Sequence, residues 1–288
     1  MLDDELLTLA ARLRIADLLA PTGLRLGEHV GGWRGQGLEF DDYRAYAAGD
    51  DLRLIDWNAY ERLGELFVKT APAMRTDVIS VLLDCSSSMA AGGGSTLRQA
   101  ARMAAGILAI ALVHADTARL WLLRDGDAEA GEALTGTFAV RPLVDALERL
   151  EVGGPTNLIT SVRAFRRFAE TRGPAILISD LEVPDDQHVA LDQVRVLDRG
   201  AAVVHIVPAA RKTRLGASEL EDAESGERML IDIDSELLAT FEARVEARRA
   251  GWAAACASRG VPYAQAPADA PAGRLLAGPL VDAGILAV

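Results

Sequence analysis

Short apolar runs alternate with stretches of helical periodicity in the chain from residue 77 onward. Such runs are typical of strands that are buried on both faces of a parallel sheet. The pattern predicts strands at 78–83, 118–124, 175–180, 201–207, 228–233 and 262–266, and helices at 95–112, 138–150, 158–171, 187–199 and 235–258. Strands and helices that alternate in this way predict an α/β fold with a doubly wound, mostly parallel sheet.

The first 76 residues have a different pattern. Leucines recur at helical spacing over residues 4–19 and predict a short amphipathic packing helix that ends before Pro21. Residues 22–76 are rich in glycine, aromatic and oppositely charged residues, which favours short strands and turns. We therefore expect an N-terminal part over 1–76, an α/β domain over 77–267 and a C-terminal tail over 268–288.

Composition and charge limit the classes of function. The chain has 288 residues, of which 50% are hydrophobic and 25% are charged, as is usual for a soluble globular protein. Acidic residues number 42 and lysine plus arginine number 30, which gives a net charge of −12. Because nucleic-acid binding needs a positive surface, this charge argues against a nucleic-acid partner and is compatible with a divalent cation.

The sequence also indicates a location. Its two cysteines, Cys85 and Cys256, do not make a disulfide framework. We expect no transmembrane span, because no run of about 18 uninterrupted apolar residues is visible. The first residues are acidic where a secretory signal would be basic. The expected location is therefore the cytoplasm.

The sharpest local motif follows the first buried strand of the α/β region. Asp84, Ser86 and Ser88 alternate in the sequence Asp-Cys-Ser-Ser-Ser, just before a glycine-rich turn. Side chains at alternate positions of a loop that leaves a strand end can converge on one point. Their carboxylate and hydroxyl oxygens are hard ligands, which suit Mg²⁺ or Mn²⁺ better than Zn²⁺.

Two more oxygen donors lie at comparable places in the sequence. Thr156 follows a tight Gly-Gly-Pro loop just before a helix, and Asp180 ends the predicted strand at 175–180. Ligands bind outside the carboxyl ends of the strands in open parallel sheets, so these donors can meet at one edge. Taken singly, each also fits a helix cap or a strand-end turn. Their combination favours a site for one divalent cation.

A run in the N-terminal part carries a second signal. The sequence Gly-Asp-Asp-x-Arg-x-Ile-Asp-Trp at 49–57 comes after Glu-Phe at 39–40 and Arg-x-Tyr at 44–46, and before Leu-Phe-Val-Lys at 66–69. With the motif at 84–89, these stretches resemble, in the same order, the bacterial family called domain of unknown function 58 (DUF58). The resemblance extends from about residue 22 to about residue 267.

The oxygen donors of the α/β region resemble a known metal site. Asp84, Ser86, Ser88, Thr156 and Asp180 are similar to the metal-ion-dependent adhesion site (MIDAS) of von Willebrand factor type A domains. The resemblance implies a type A-like fold in which Ser86 and Ser88 bind the cation directly. It implies that Asp84 and Asp180 hold the cation through water, and that Thr156 binds directly or through water. The expected cation is Mg²⁺, with Mn²⁺ or Ca²⁺ as alternatives.

The family resemblance also implies a role in protein binding. Members of DUF58 are often encoded beside MoxR-type ATPases of the AAA+ class, so such an ATPase is the expected partner. Neutral hydroxyl ligands leave a cation with much of its positive charge, to which an Asp or Glu of the partner can bind. We therefore expect a non-enzymatic, magnesium-dependent interaction module in chaperone-like or assembly work. Many members carry N-terminal membrane helices, and no such helix is visible here.

Enzymatic interpretations have less support from the sequence. No Gly-x-Ser-x-Gly elbow is present beside any of the four histidines, and the Gly-Ser stretch at 92–96 lacks the lysine of a phosphate loop. One alternative is a metal-dependent phosphoester hydrolase with Asp84 as nucleophile, although Ser86 stands where it would need a second aspartate. The other alternative is a structural scaffold with a vestigial metal site. Cys85 is interpreted as a packing residue.

Overall fold

A computed structural model of the protein describes most of the chain. The described residues are 8–16, 18, 42–45, 55, 57–70, 78–90, 93–155, 157–168, 173–183, 200–209, 215–222 and 226–288. The chain divides into two compact units, a larger one of Met1–Gly23 with Asp77–Val288 and a smaller one of Leu24–Thr76.

The described strands and helices are as follows, in chain order. The strands are β1 (Arg14–Ile15), β2 (Asp42–Ala45), β3 (Phe67–Thr70), β4 (Val78–Asp84), β5 (Thr117–Arg124), β6 (Asp127–Thr135), β7 (Ala175–Ser179), β8 (Ala201–Val207), β9 (Gly216–Glu221), β10 (Arg228–Ile233), β11 (Tyr263–Pro267) and β12 (Leu286–Ala287). The α-helices are α1 (Trp57–Leu63), α2 (Ser95–Val113), α3 (Val140–Leu147), α4 (Leu158–Phe168), α5 (Ser235–Ser258), α6 (Ala272–Ala277) and α7 (Pro279–Asp282), and short 3₁₀ helices occupy Ser87–Ala90 and Thr137–Ala139.

The larger unit is built on a six-stranded sheet with the order β11-β8-β7-β4-β5-β6. Adjacent strands are parallel except for β5 and β6, which are antiparallel. Every residue of β4, β7 and β8 is buried, because helices cover both faces of the sheet. The predicted doubly wound, mostly parallel sheet is therefore confirmed.

Alternate side chains of β4 enter two separate hydrophobic clusters. Val81 and Leu83 pack in a cluster with α2, α3 and α6, whereas Leu82 packs in a cluster with α4 and α5. In the second cluster Trp121 meets Phe165 edge to face, with the ring centroids 4.8 Å apart. The two clusters hold the sheet rigidly from both sides, so the loops at its carboxyl edge have a fixed base.

The C-terminal segment is part of the larger unit, so residues 268–288 do not form the separate tail that we expected. Leu275, Leu280 and Ile285 are buried in the same cluster as α2. Leu276 lies so close to Gly106 of α2 that a Cβ built at Gly106 would be 2.5 Å from Leu276 Cδ1. The segment is ordered because its short apolar helices cover the outer face of α2, which the sequence pattern did not indicate.

The N-terminal helix predicted over 4–19 is wrong in part. Residues 8–10 are helical, but Arg14–Ile15 form β1, which pairs antiparallel with β12. His114 Nε2 lies 2.6 Å from the backbone oxygen of Leu13 and fixes this segment to the end of α2. Residues 8–16 thus belong to the larger unit and not to the turn-rich segment, so the expected boundary at residue 76 does not hold for them.

Three further elements differ from the sequence pattern. β6 was not predicted, because its alternating acidic residues are mostly exposed and its pairing comes from β5. β9 was not predicted either, and it pairs with β10 in a separate two-stranded ribbon. The predicted strand at 228–233 therefore exists but lies outside the main sheet. The predicted helix at 187–199 falls outside the described residues.

The smaller unit contains short elements where the structure describes it. β2 and β3 pair antiparallel, and they agree with the short strands predicted for residues 22–76. α1 was not expected in this turn-rich sequence. Trp57 and Tyr60 lie one turn apart on α1, both are exposed, and their rings meet edge to face at 6.3 Å.

One helix within the described ranges, α2, is long and apolar enough to cross a membrane by length and composition alone. The structure buries 83% of its most apolar window in the larger unit. The core helix of a globular domain passes the same test, so this finding does not indicate a location.

Candidate metal centre

The carboxyl ends of β4 and β7 lie side by side, because the two strands are adjacent and parallel. Leu83 is paired with Ile178, which places Asp84 at the end of β4 beside the end of β7. Asp180 follows β7 directly, and both aspartates are buried. The sheet therefore gathers buried carboxylates at the edge where open parallel sheets bind ligands.

Asp84 is held by hydrogen bonds to both carboxylate oxygens. Its Oδ1 accepts a hydrogen bond from the backbone N–H of Ser86 at 2.9 Å and another from the Ser86 hydroxyl at 2.7 Å. Its Oδ2 accepts a hydrogen bond from the hydroxyl of Ser179 at 2.6 Å. The backbone N–H of Leu181 donates to the Ser179 oxygen at 2.9 Å, which links the two strand ends.

Ser179 is a site residue that the sequence analysis missed. It is the last residue of an apolar run and is fully buried, so it has the pattern of a core position. The available signal was a serine directly before an aspartate at a strand end, next to a second strand that ends in aspartate. Ser179 fixes the orientation of Asp84.

Ser88 completes the cluster. Its hydroxyl oxygen lies 3.1 Å from the hydroxyl oxygen of Ser86, and its side chain also interacts with Asp180. Four of the five residues singled out in the sequence, Asp84, Ser86, Ser88 and Asp180, are thus brought together at one edge of the sheet.

Asp180 has an incomplete set of partners. Its Oδ1 accepts a hydrogen bond from the backbone N–H of Glu182 at 3.1 Å, while its Oδ2 is buried and has no hydrogen-bond partner. Burial, and secondly the charge of Asp84, raise the pKa of Asp180 to about 7, although Glu182 N–H and Ser88 act in the opposite direction. The ionised form of Asp180 is therefore disfavoured in the protein alone.

This set of atoms fits a hard divalent cation. Carboxylate and hydroxyl oxygens converge, and one buried carboxylate oxygen is unpaired. Within the part of the chain that the structure describes, no group of three or more His, Cys, Asp or Glu side chains is placed to hold a metal. A cation at this edge would therefore depend on serine hydroxyls as well as on the two aspartates.

The fifth residue, Thr156, lies outside the described residues. The loop before it is joined to the serine motif: the backbone N–H of Gly153 donates to Cys85 O at 2.9 Å, and the Ser87 hydroxyl donates to Gly154 O at 2.9 Å. Gly154 has φ of +74°, and a Cβ there would lie 2.9 Å from Asp125 Cβ, so this position requires glycine. The described loop thus approaches the motif at the edge.

Cys85 lies within the motif but faces the core. It is buried, and its Sγ lies 3.7 Å from the backbone oxygen of Leu83. Burial, and secondly the charge of Asp84, raise the pKa of the Cys85 thiol to about 12. The thiol stays protonated near neutral pH, so the side chain has the properties of a small packing group.

A buried histidine lies behind Asp180. His205 Nδ1 is 2.6 Å from the hydroxyl oxygen of Tyr263, and the ring also hydrogen-bonds to the backbone of Asp180. Burial, and secondly the charge of Arg249, lower the pKa of His205 to about 4, so the ring is neutral at pH 7. His205 therefore supports the loop after β7 without adding charge to it.

Comparisons with known proteins found a family, sequence relatives and solved structures to which the chain is similar. A family model described as "Protein of unknown function DUF58" matches residues 42–251. An uncharacterized protein of Mycobacterium tuberculosis is 27% identical over 263 residues, which cover 88% of this chain and 83% of that protein. BatB from Bacteroides thetaiotaomicron is similar over 72% of this chain and 98% of its own, with 14% identity and a TM-score of 0.43. The manganese-loaded TRAP protein of Plasmodium vivax is similar over 46% of this chain and 57% of its own, with 16% identity and a TM-score of 0.34.

Proposed function

Because the chain belongs to the DUF58 family, whose description states no function, we propose from its site that the protein is a non-enzymatic, metal-dependent protein-binding module. Asp84, Ser86, Ser88 and Asp180 would hold the cation, which we take to be Mg²⁺, with Mn²⁺ or Ca²⁺ as alternatives. Thr156 is included on the basis of the sequence resemblance. The bound cation would supply a positive charge to which an Asp or Glu of a partner protein binds.

One observation carries the proposal: Asp180 buries an unpaired carboxylate oxygen next to the buried carboxylate of Asp84. Burying a charge without a partner is unfavourable, and the neighbouring carboxylates of Asp84 and Asp180 also repel each other. A cation would relieve both effects. Ser86 and Ser88 would add neutral oxygens, which do not cancel the charge that the partner's carboxylate recognises.

The partner we propose is a MoxR-type ATPase of the AAA+ class. This assignment rests on the resemblance to DUF58, since members are often encoded beside such ATPases. The site supplies the binding chemistry, and the ATPase would supply the work of a chaperone-like or assembly reaction. The cytoplasm, where such an ATPase has access to nucleotide, is the location we propose.

The hydrolase alternative finds little support in the position of Asp84. A nucleophilic carboxylate needs an oxygen that faces its substrate. Asp84 is buried, and its two oxygens accept hydrogen bonds from Ser86 and Ser179. These contacts favour a structural and ligand-holding role for Asp84. A scaffold with a vestigial site differs from our proposal in one measurable respect, since its complexes would not depend on metal.

Titration calorimetry of the full chain against a purified MoxR-type ATPase tests the proposal. We expect binding in Mg²⁺ and release in EDTA. We expect Ser86→Ala to weaken binding at least tenfold, or about 1.4 kcal/mol, because the variant loses a hydroxyl that would bind the metal.

Ser87→Ala is the matched control for this experiment. Ser87 lies in the same loop, but its hydroxyl donates to Gly154 O and not to the cluster. We expect it to change the affinity less than threefold, within about 0.7 kcal/mol. An affinity that is the same in EDTA as in Mg²⁺, and unaltered by Ser86→Ala, would contradict the proposed function.

A further inference from the structure

Exposed apolar side chains lie on both faces of the ribbon β9–β10 and on the first half of α5. Leu220 faces Met229 across the ribbon, and the exposed fractions are 64% for Met229, 82% for Leu230 and 62% for Phe241. A two-stranded ribbon alone is marginally stable in water, and large exposed apolar surfaces mark interaction sites. We call this region the arm and define it as residues 216–221, 228–233 and 235–247.

The arm lies at the carboxyl edge of the sheet, where the candidate metal centre is. Arg248 of α5 forms an ion pair with Glu182, two residues after Asp180, whereas Trp252 one turn later is buried in the core. The helix therefore enters the core after residue 248, and the residues before it extend beyond the edge. At about 1.5 Å per residue, 235–247 extend roughly 20 Å past the ion pair.

The charge of this region limits what can bind to it. The arm contains six acidic and two basic residues, and the whole chain has a net charge of −12. A second copy of this chain, a nucleic acid and an anionic membrane all carry the same sign of charge. A partner surface that combines apolar side chains with lysine or arginine would match both the exposed apolar side chains and the negative charge of the arm.

We propose that the arm is a second docking surface for the protein that supplies the carboxylate to the metal centre. The partner surface would carry apolar residues bordered by lysine or arginine, close to the Asp or Glu that binds the metal. This inference rests on the proposed function. Stable interfaces bury about 800 Å² on each partner, far more than one carboxylate contact provides, and apolar anchors contribute much of the binding energy.

The test compares two variants that each lose exposed apolar side chains. The double variant Met229→Ser/Leu230→Ser changes the arm, and Phe138→Ser is the matched control. Phe138 is 96% exposed and follows β6, which runs antiparallel to β5 and so ends at the opposite edge of the sheet. Affinity for the purified MoxR-type ATPase and for Mg²⁺ alone is measured by titration calorimetry.

We expect the arm variant to bind the ATPase at least tenfold more weakly while its affinity for Mg²⁺ is unchanged. Phe138→Ser should change neither value. Because both groups of residues are exposed, melting temperatures should stay close to that of the unmodified protein. Binding of the unmodified protein should also weaken as NaCl is raised, since the complementary charges are screened.

The outcomes separate this inference from the proposed function. If the arm variant binds normally while Ser86→Ala fails to bind, the inference is overturned and the proposed function stands. If the unmodified protein does not bind the ATPase, or binds equally well in EDTA, both are overturned. A concentration-dependent dimer of the unmodified protein that the arm variant abolishes would assign the surface to a second copy and overturn the inference.

Discussion

The candidate metal centre and the arm lie at the same end of the sheet but have opposite chemistry. The centre buries carboxylates, with Asp180 only 1% exposed and one of its oxygens unpaired. The arm exposes large apolar side chains, such as Leu230, to water. Each arrangement is unfavourable in the isolated chain, the first by desolvation of charge and the second by hydration of apolar surface. A bound cation would relieve the unfavourable arrangement of the centre, and a bound protein partner would relieve that of the arm.

The two regions should also respond differently to substitution. Side chains of the centre are joined by short hydrogen bonds to two strand ends, so one change alters several contacts. Side chains of the arm make few contacts within the chain, so a change there should leave the fold intact.

Asp84→Ala should produce the largest effect on metal binding. Asp84 positions Ser86 and Ser179 through both of its oxygens, so its loss disorganises the cluster. We expect affinity for Mg²⁺ to fall at least a hundredfold, or about 2.7 kcal/mol, by titration calorimetry. Asp145→Ala is the control, because Asp145 pairs with Arg141 on the surface of α3. Equal losses in the two variants would show that general charge, and not the cluster, attracts the metal.

Asp180→Asn should separate metal binding from stability. At pH 8, above the pKa of about 7 of Asp180, the variant removes the buried charge that repels Asp84. In EDTA at this pH we expect it to be more stable by about 1 kcal/mol, or roughly 2–4 °C in melting temperature. We expect Mg²⁺ to raise the melting temperature of the unmodified protein but not that of the variant. Differential scanning calorimetry with and without Mg²⁺ measures both effects. A variant that is less stable in EDTA would refute the view that the carboxylates are strained without a cation.

Ser179→Ala should have a smaller effect, because Ser179 acts on the centre only by orienting Asp84. We expect three- to tenfold weaker Mg²⁺ binding, about 0.7–1.4 kcal/mol. Ser80→Ala is the control, since Ser80 is buried at the other end of β4. If both variants bind Mg²⁺ like the unmodified protein, Ser179 has no positioning role.

Leu230→Ser should have the smallest effect on the fold. Its side chain is largely exposed, and surface substitutions usually change stability by less than about 0.5 kcal/mol. Urea unfolding measures the stability of this variant and of Leu82→Ser, which alters a buried residue of β4, so that an exposed and a buried leucine are compared. A large loss of stability in Leu230→Ser would mean that the arm packs within the chain, and would remove the reason to treat it as a docking surface.

Much of the sheet could be predicted from the sequence because its central strands are buried on both faces. The apolar runs of β4, β7 and β8 have no other common interpretation when helical stretches separate them. β6 was not predicted, because its exposed acidic residues do not give a strand pattern in the sequence. It is a strand because it pairs with β5, and this pairing is not visible in the local sequence. Residues 268–288 escaped for a similar reason, since their burial depends on α2.

The candidate site was predictable where polar residues stood at strand ends. Asp84 and Asp180 each follow an apolar run, and the rule for parallel sheets places such ends together. Ser179 could not be distinguished from a core residue, because its role depends on the orientation of a hydroxyl group. Two elements of the arm, the strand at 228–233 and the helix at 235–258, were predicted. The exposure of their apolar side chains was not, because exposure is a property of the folded chain.

Whether the cluster holds a cation is tested most directly by a crystal structure grown in Mn²⁺, with anomalous data collected at the manganese absorption edge. Our account predicts one strong anomalous peak at the carboxyl edge of β4 and β7, in contact with the hydroxyl oxygens of Ser86 and Ser88. Asp180→Asn, crystallised in the same way, should show a weaker peak or none. A well-ordered edge with no peak at saturating Mn²⁺, or a peak only at another place on the protein, would contradict the central claim.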